Sequence, residues 1–190
     1  MKRFSGLLAF VMVIMSLSAC KNRNNMADNP FFESEWTTPY GVPPFDRIRF
    51  EHYKPAFEQG MSLHNEEIAR IVESSEEPTF ENTILAFDNS GQMLSRVATV
   101  FGMLEAAETN EQMQDLSAEI MPQLAAHSDS FLMNEKLFDR VKSVYERREA
   151  LKLDDEQKRL TEKIYNSFVR SGALLSAENK NRLKQFYEKL

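Results

Sequence analysis

Between Phe57 and Phe168, segment by segment, the apolar residues return at every third or fourth position, and no apolar–polar alternation of useful length appears among them. That period matches the 3.6-residue turn of a helix and not the two-residue repeat of a strand, so the chain is predicted to be all-α. Phe57, Met61, His64, Ile68 and Ile71 mark the first apolar face, and Pro55 stands in the first turn, where its missing N–H is not needed. After a break at 74–78, Thr79 can cap a helix whose face reads Phe80, Ile84, Phe87, Gly91, Leu94, Ala98, Phe101 and Leu104. This is predicted to be the longest helix, roughly seven turns. Gly91 falls inside its seam, where glycine costs about 1 kcal/mol of helix propensity. A closely approaching backbone would offset that cost.

Thr109 and Gln112 have the spacing of a capping box, so another helix is expected to start there, with Met113, Leu116, Ile120, Leu124, His127 and Phe131 inward and a kink at Pro122. Asn134 caps a fourth helix carrying Leu137, Val141, Val144 and Tyr145. Asp154 and Gln157 repeat the box before Leu160, Ile164 and Phe168, and Gly172 is placed to end that helix in the left-handed conformation. Ser176 opens the last, with Leu183, Phe186, Tyr187 and Leu190 on one side. The expectation is about six amphipathic helices. No Gly, Pro or polar tail follows Leu190, so the gene product is expected to continue. Ahead of the helices, residues 29–50 intersperse Pro30, Pro39, Pro43 and Pro44 with Phe31, Phe32, Trp36, Tyr40, Phe45 and Phe50. Proline at that density forbids a regular helix, and the rings predict an extended arm packed against something.

Lys2 and Arg3 precede an apolar run from Leu7 to Leu17, which is shorter than the about 20 residues needed to cross a bilayer. Residues 1–19 read as a signal peptide. Leu17-Ser18-Ala19-Cys20 resembles the lipobox of bacterial lipoproteins, which implies that Cys20 becomes the lipidated first residue of an exported, membrane-anchored protein. Lys21 stands where aspartate commonly signals inner-membrane retention, so the outer membrane, facing the periplasm, is the expected location. Residues 20–28 are polar and read as a tether.

Chemistry is sparse. Cys20 is the single cysteine, so neither an intrachain disulfide nor a cysteine-rich metal site can form. With 23 basic against 29 acidic residues, a net charge of −6 and only short Lys/Arg pairs, the chain lacks the basic face that nucleic acid requires. A catalytic zinc site needs imidazoles one helical turn apart, a third ligand and an open position for water. His52, His64 and His127 offer no such pair; His64 with Glu67 comes nearest to a ligand spacing, but His64 lies on an apolar stripe and reads as a core or boundary histidine. Ser90-Gly91 and Ser171-Gly172 lack the G-x-S-x-G form of a nucleophile elbow, and 6 glycines can hardly supply a phosphate-binding loop. No catalytic and no metal-ligating residue is predicted, and Cys20, for lipidation, is the one site residue.

Four blocks are nevertheless familiar: PYGVPPFDRIRFEHYKPAFEQGM at 39–61, PTFENTILAFDNSG at 78–91, LAAHSDSFLMNEKLFDRVKSVYERR at 124–148 and FVRSGALLSAENKNRLK at 168–184. In this order they resemble the amino-terminal arm and helices of the thimet-oligopeptidase-like (M3) zinc metallopeptidases, most of all the bacterial peptidyl-dipeptidases. The resemblance implies that residues 29–190 are the helical amino-terminal region of a larger channel-type fold, forming part of a channel wall that admits short peptides. It implies zinc in the full-length enzyme, bound outside this chain. The H-E-x-x-H helix and downstream glutamate that hold it lie far beyond residue 190 in family members, in a carboxy-terminal catalytic region that would be this chain's partner. No catalytic residue carries over. The other reading is a self-sufficient helical lipoprotein that binds peptides or a partner protein without hydrolysing anything.

Overall fold

Four of the helix starts in this protein are set by side-chain oxygens that take up backbone N–H groups left without a carbonyl partner. The structure, a computed structural model, describes residues 28–176, 178–180 and 182–183. The expected signal peptide, Cys20, nearly all of the tether, and Phe186, Tyr187 and Leu190 lie outside the described residues. The helices are α1 Tyr53–Glu73, α2 Phe80–Leu85 continued by Ala86–Asp88, α3 Gln92–Ala107, α4 Glu111–Leu132, α5 Glu135–Arg147 and α6 Asp155–Arg170. No strand occurs among the described residues.

Thr79 Oγ1 accepts from Asn82 N at 3.1 Å while Asn82 Oδ1 accepts from Thr79 N at 2.8 Å, which fixes the start of α2. Asn134 Oδ1 caps α5 through Leu137 N at 3.0 Å. Asp154 and Gln157 close their reciprocal box at 2.8 and 3.1 Å. α6 ends as expected: Gly172 has φ +91°, its N–H reaches Val169 O at 3.0 Å and Ala173 N reaches Phe168 O at 3.0 Å, the paired bonds of a Schellman stop. Beyond it, Ser176 Oγ accepts from Asn179 N at 3.3 Å and begins the next helical residues.

The predicted long helix from 80 to 104 is in fact two. Asn89 and Ser90 donate back to Leu85 O and Phe87 O at 3.0 and 3.1 Å, and Gly91 adopts φ +69°, a left-handed conformation that ends a helix and costs glycine little. The turn resets the phase, so α3 buries Leu94, Val97, Val100 and Phe101, leaving Ala98 and Leu104 half-buried. The start of α4 is also displaced. Asn110 rather than Thr109 supplies the cap, accepting from Met113 N at 3.0 Å, because its carbonyl is the one that receives the first helical bond, from Gln114 N at 3.0 Å. α4 then runs through Pro122 without a break.

The chain divides into two units: residues 1–60 with 93–114, and residues 61–92 with 115–190. In the first, the beginning of the arm is packed, as its rings predict. Phe31, 1% exposed, meets Tyr53 at 5.5 Å between ring centroids, and Tyr53 and Phe57 each meet Phe101 edge-on at 5.2 and 5.6 Å. The Trp36 indole donates to Pro30 O at 2.9 Å, and Arg96 lies over its ring at 4.9 Å while donating to Glu33 O and Ser34 O. The later arm departs from the expectation. Tyr40 and Gly41, at φ +60° and +66°, form a tight turn, and Tyr40, Val42, Phe45 and Phe50 are exposed. Short 3-10 turns at Pro30–Phe32, Pro39–Gly41 and Phe50–His52 replace a continuous extended strand of chain.

The second unit encloses Ile68, Ile71, Phe80, Ile84, Leu137, Phe138, Val141, Val144, Ile164 and Phe168. Each such side chain, fully buried, contributes about 1.5–3 kcal/mol of transfer free energy. Arg140, 9% exposed, reaches from α5 to Ser74 O at 2.9 Å, Glu76 O at 3.1 Å and Asn82 Oδ1 at 3.2 Å, tying down the connection between α1 and α2.

Candidate functional site

His64 sits on the buried stripe of α1, where the polar edges of an imidazole need partners inside the protein. Two arrive from distant sequence. The turn at 89–91 places Ser90 Oγ at 3.1 Å from His64 Nε2, and α4 places His127 Nε2 at 2.9 Å from His64 Nδ1. The Phe87 carbonyl can only accept, so the Ser90 hydroxyl donates to it at 2.7 Å. Ser90 Oγ therefore accepts from His64 Nε2–H, and His64 Nδ1 accepts from His127 Nε2–H. The result is a directed chain: His127 to His64 to Ser90 to the end of α2.

Phe131 packs on both imidazoles, its ring centroid 4.9 Å from that of His64 and 5.7 Å from that of His127. Glu67 Oε2 accepts from Gly91 N at 2.7 Å, pinning the turn from one helical turn farther along α1. Burial, and after it the neighbouring His127, hold His64 below the usual imidazole pKa, with Glu67 opposing. Burial likewise lowers His127. Glu67 and Ser90 also border a shallow cleft of about 370 Å³ that Arg70, Ile71, Ser74, Asn82, Ala86 and Asn89 complete.

The pairing of His64 with His127 is the feature that spacing along the chain could not reveal, since the two are 63 positions apart. A signal was present. Both histidines fall on stripes marked as inward, and a buried imidazole demands a partner. His52 is not part of the group: in the first unit its Nδ1 accepts from Arg49 N at 3.1 Å and its carbonyl from Asn29 Nδ2 at 2.9 Å. Cys20 lies outside the described residues.

No protein-family model matches the chain. It is, however, 43% identical over 159 residues to the dipeptidyl carboxypeptidase of Salmonella typhimurium and 44% identical over 156 residues to that of Escherichia coli K12. The chain is a relative of the dipeptidyl carboxypeptidases. These matches take in 84% and 82% of this chain and 23% of each relative, so this dipeptidyl carboxypeptidase relative spans about a quarter of their length. A thimet-like oligopeptidase of Dictyostelium discoideum is 26% identical over 144 residues, 74% of this chain and 21% of its own.

Such a relationship implies zinc, and the residues present can be tested for it. An open catalytic site needs three protein ligands with lone pairs directed at one point. Both nitrogens of His64 are engaged, one by Ser90 and one by His127, and Glu67 is bound to Gly91 N. Among the described residues no three His, Cys, Asp or Glu side chains are grouped to hold a metal ion. The histidine pair does not fit a catalytic zinc site.

Proposed function

We propose that this chain is the amino-terminal, non-catalytic helical part of a zinc-dependent peptidyl-dipeptidase that removes dipeptides from the carboxyl ends of short peptides. The identity of 43–44% to the two dipeptidyl carboxypeptidases carries the proposal. In this reading the chain contributes wall to an enclosed channel, and zinc and the groups that activate water reside in a carboxy-terminal region outside it. Enclosure would admit short unstructured peptides and exclude folded proteins. The reading frame past the Leu190 codon is expected to continue and to encode H-E-x-x-H; a stop codon there would favour the self-sufficient binding lipoprotein instead. The continued product is expected to shorten an octapeptide with a blocked amino terminus by successive pairs of carboxy-terminal residues, read by mass spectrometry, with activity lost to chelator and restored by Zn²⁺. A single internal cut would place it with the oligopeptidases.

Location belongs to the same proposal. The tetrapeptide ending in Cys20 supports lipidation, and Lys21 after it supports retention at the periplasmic face of the outer membrane. Labelled fatty acid should enter the wild-type protein and be absent from Cys20→Ser, and equal recovery of the two in the soluble fraction would overturn it. Several acyl chains would be needed for stable attachment, each buried CH₂ contributing about 0.8 kcal/mol.

A further inference from the structure

We propose that His64 and His127 form an acid-responsive clasp within the second unit, one that holds α1, the 89–91 turn and α4 together while the pair carries at most one added proton and opens when a second arrives. The proposal rests on the direction of the hydrogen-bond chain. With both rings neutral, His127 Nε2–H donates to His64 Nδ1 at 2.9 Å and His64 Nε2–H donates to Ser90 Oγ at 3.1 Å. A first proton can enter at His127 Nδ1. That leaves every bond in place and makes the link between the rings charge-assisted.

A second proton has only His64 Nδ1 to go to. Two N–H groups would then face each other at 2.9 Å with no acceptor between them, on two cations. The link cannot survive that state. Few groups are available to soften it. From α1 the charged group facing His64 is Glu67, already engaged by Gly91 N; from the turn come Ser90 and the Gly91 backbone, which do not titrate; from α4 come His127 itself and the Phe131 ring. With His64 9% exposed, water does little to stabilise the doubly charged pair.

The sign follows from linkage. Below the ordinary imidazole pKa of about 6.5 the unfolded chain protonates both rings, whereas the folded pair resists the second proton. The stabilisation is therefore complete above about pH 6.5 and is lost as the pH falls below it, the folded-to-unfolded ratio dropping about tenfold per pH unit once the native pair lags by one full proton. This window lies above the usual carboxylate pKa values of about 4, so it is separable from general acid unfolding.

The test compares urea unfolding of the full chain and of His127→Gln, each from pH 7.5 to pH 5 with chelator present. Glutamine does not titrate and can turn either its NH₂ or its carbonyl oxygen toward His64 Nδ1, so it tolerates both charge states of that ring. His52 is common to both proteins and cancels. Burial of His64 persists in the variant and gives it a loss of its own, so the wild type should lose several-fold more of its folding equilibrium constant across this range than the variant does. Equal losses would overturn the proposal. Imidazole NMR of the wild type supplies a check that needs no variant: His64 and His127 should titrate as a coupled pair whose second step falls well below 6.5, and two independent titrations at the ordinary value would overturn the clasp.

Discussion

At Gly91 the backbone and the space around it make the same demand. Its φ of +69° is a conformation that costs an ordinary L-residue roughly 1–2 kcal/mol. A Cβ there would also stand 2.9 Å from His64 Nδ1, the atom that receives His127. Leucine at this position should therefore destabilise the protein by about 1–3 kcal/mol from overpacking, with the backbone cost added. No gain in helix propensity opposes it, because Gly91 belongs to a turn and not to a helix. Thermal unfolding of Gly91→Leu measures the effect, and an unchanged or raised midpoint would show that both the conformation and the contact are unimportant. The close backbone approach that Gly91 suggested in the sequence is found at Gly60, where a Cβ would meet Leu94 Cα at 3.0 Å. Backbone atoms cannot step aside as a flexible side-chain end can. The sequence marked the right kind of residue and attached the reason to the wrong one.

Among the elements, the connection from α1 to α2 depends most visibly on one side chain. Arg140 donates to Ser74 O, Glu76 O, Asn82 Oδ1 and Thr83 Oγ1, and Arg147 holds the next residues through Pro78 O and Glu77. Replacing Arg140 with methionine keeps much of the volume but takes the Arg140 donor from the part-buried carbonyl of Ser74 and from that of Glu76, while Asn82 Oδ1 and the Thr83 hydroxyl keep other bonds, at about 1–3 kcal/mol for a group left unsatisfied. The variant should unfold at lower urea concentration and lose amide protection first in residues 74–83; unchanged exchange there would refute the clamp. Arg140 escaped the periodic reading because a charge interrupts the count, although it is three positions past Leu137 on the inward face of α5. What was legible followed local rules: the stripe of α1, the caps at Thr79, Asn134 and Asp154, and the stop at Gly172 each need only neighbours in sequence. The division of α2 from α3 was not legible from periodicity, because the turn at 89–91 preserves the 4-3 spacing of apolar residues across it. Val97 and Val100 became core residues through that phase change.

For the whole molecule, function was legible only through resemblance, because these 190 positions contain no H-E-x-x-H. The fold adds how the histidines and Ser90 are used. Activating water requires a metal with three protein ligands and an open coordination position, or an equivalent base beside a nucleophile. His52 serves the arm, His64 and His127 bind each other, and the Ser90 hydroxyl donates to a main-chain carbonyl. Assembling zinc here would require breaking the histidine chain and recruiting a third ligand from elsewhere in the fold, and use of His64 Nε2 as a ligand would also cost its hydrogen bond to Ser90. The 190-residue chain, expressed alone, should therefore bind no stoichiometric zinc after equilibration with the ion and removal of the excess, as read by elemental analysis, and should leave a blocked octapeptide intact. Chelator-sensitive cleavage by the purified chain would overturn this assignment of its histidines. Retained zinc without cleavage would point to His64 and His127 leaving each other for the metal, and His127→Gln would then abolish the retention.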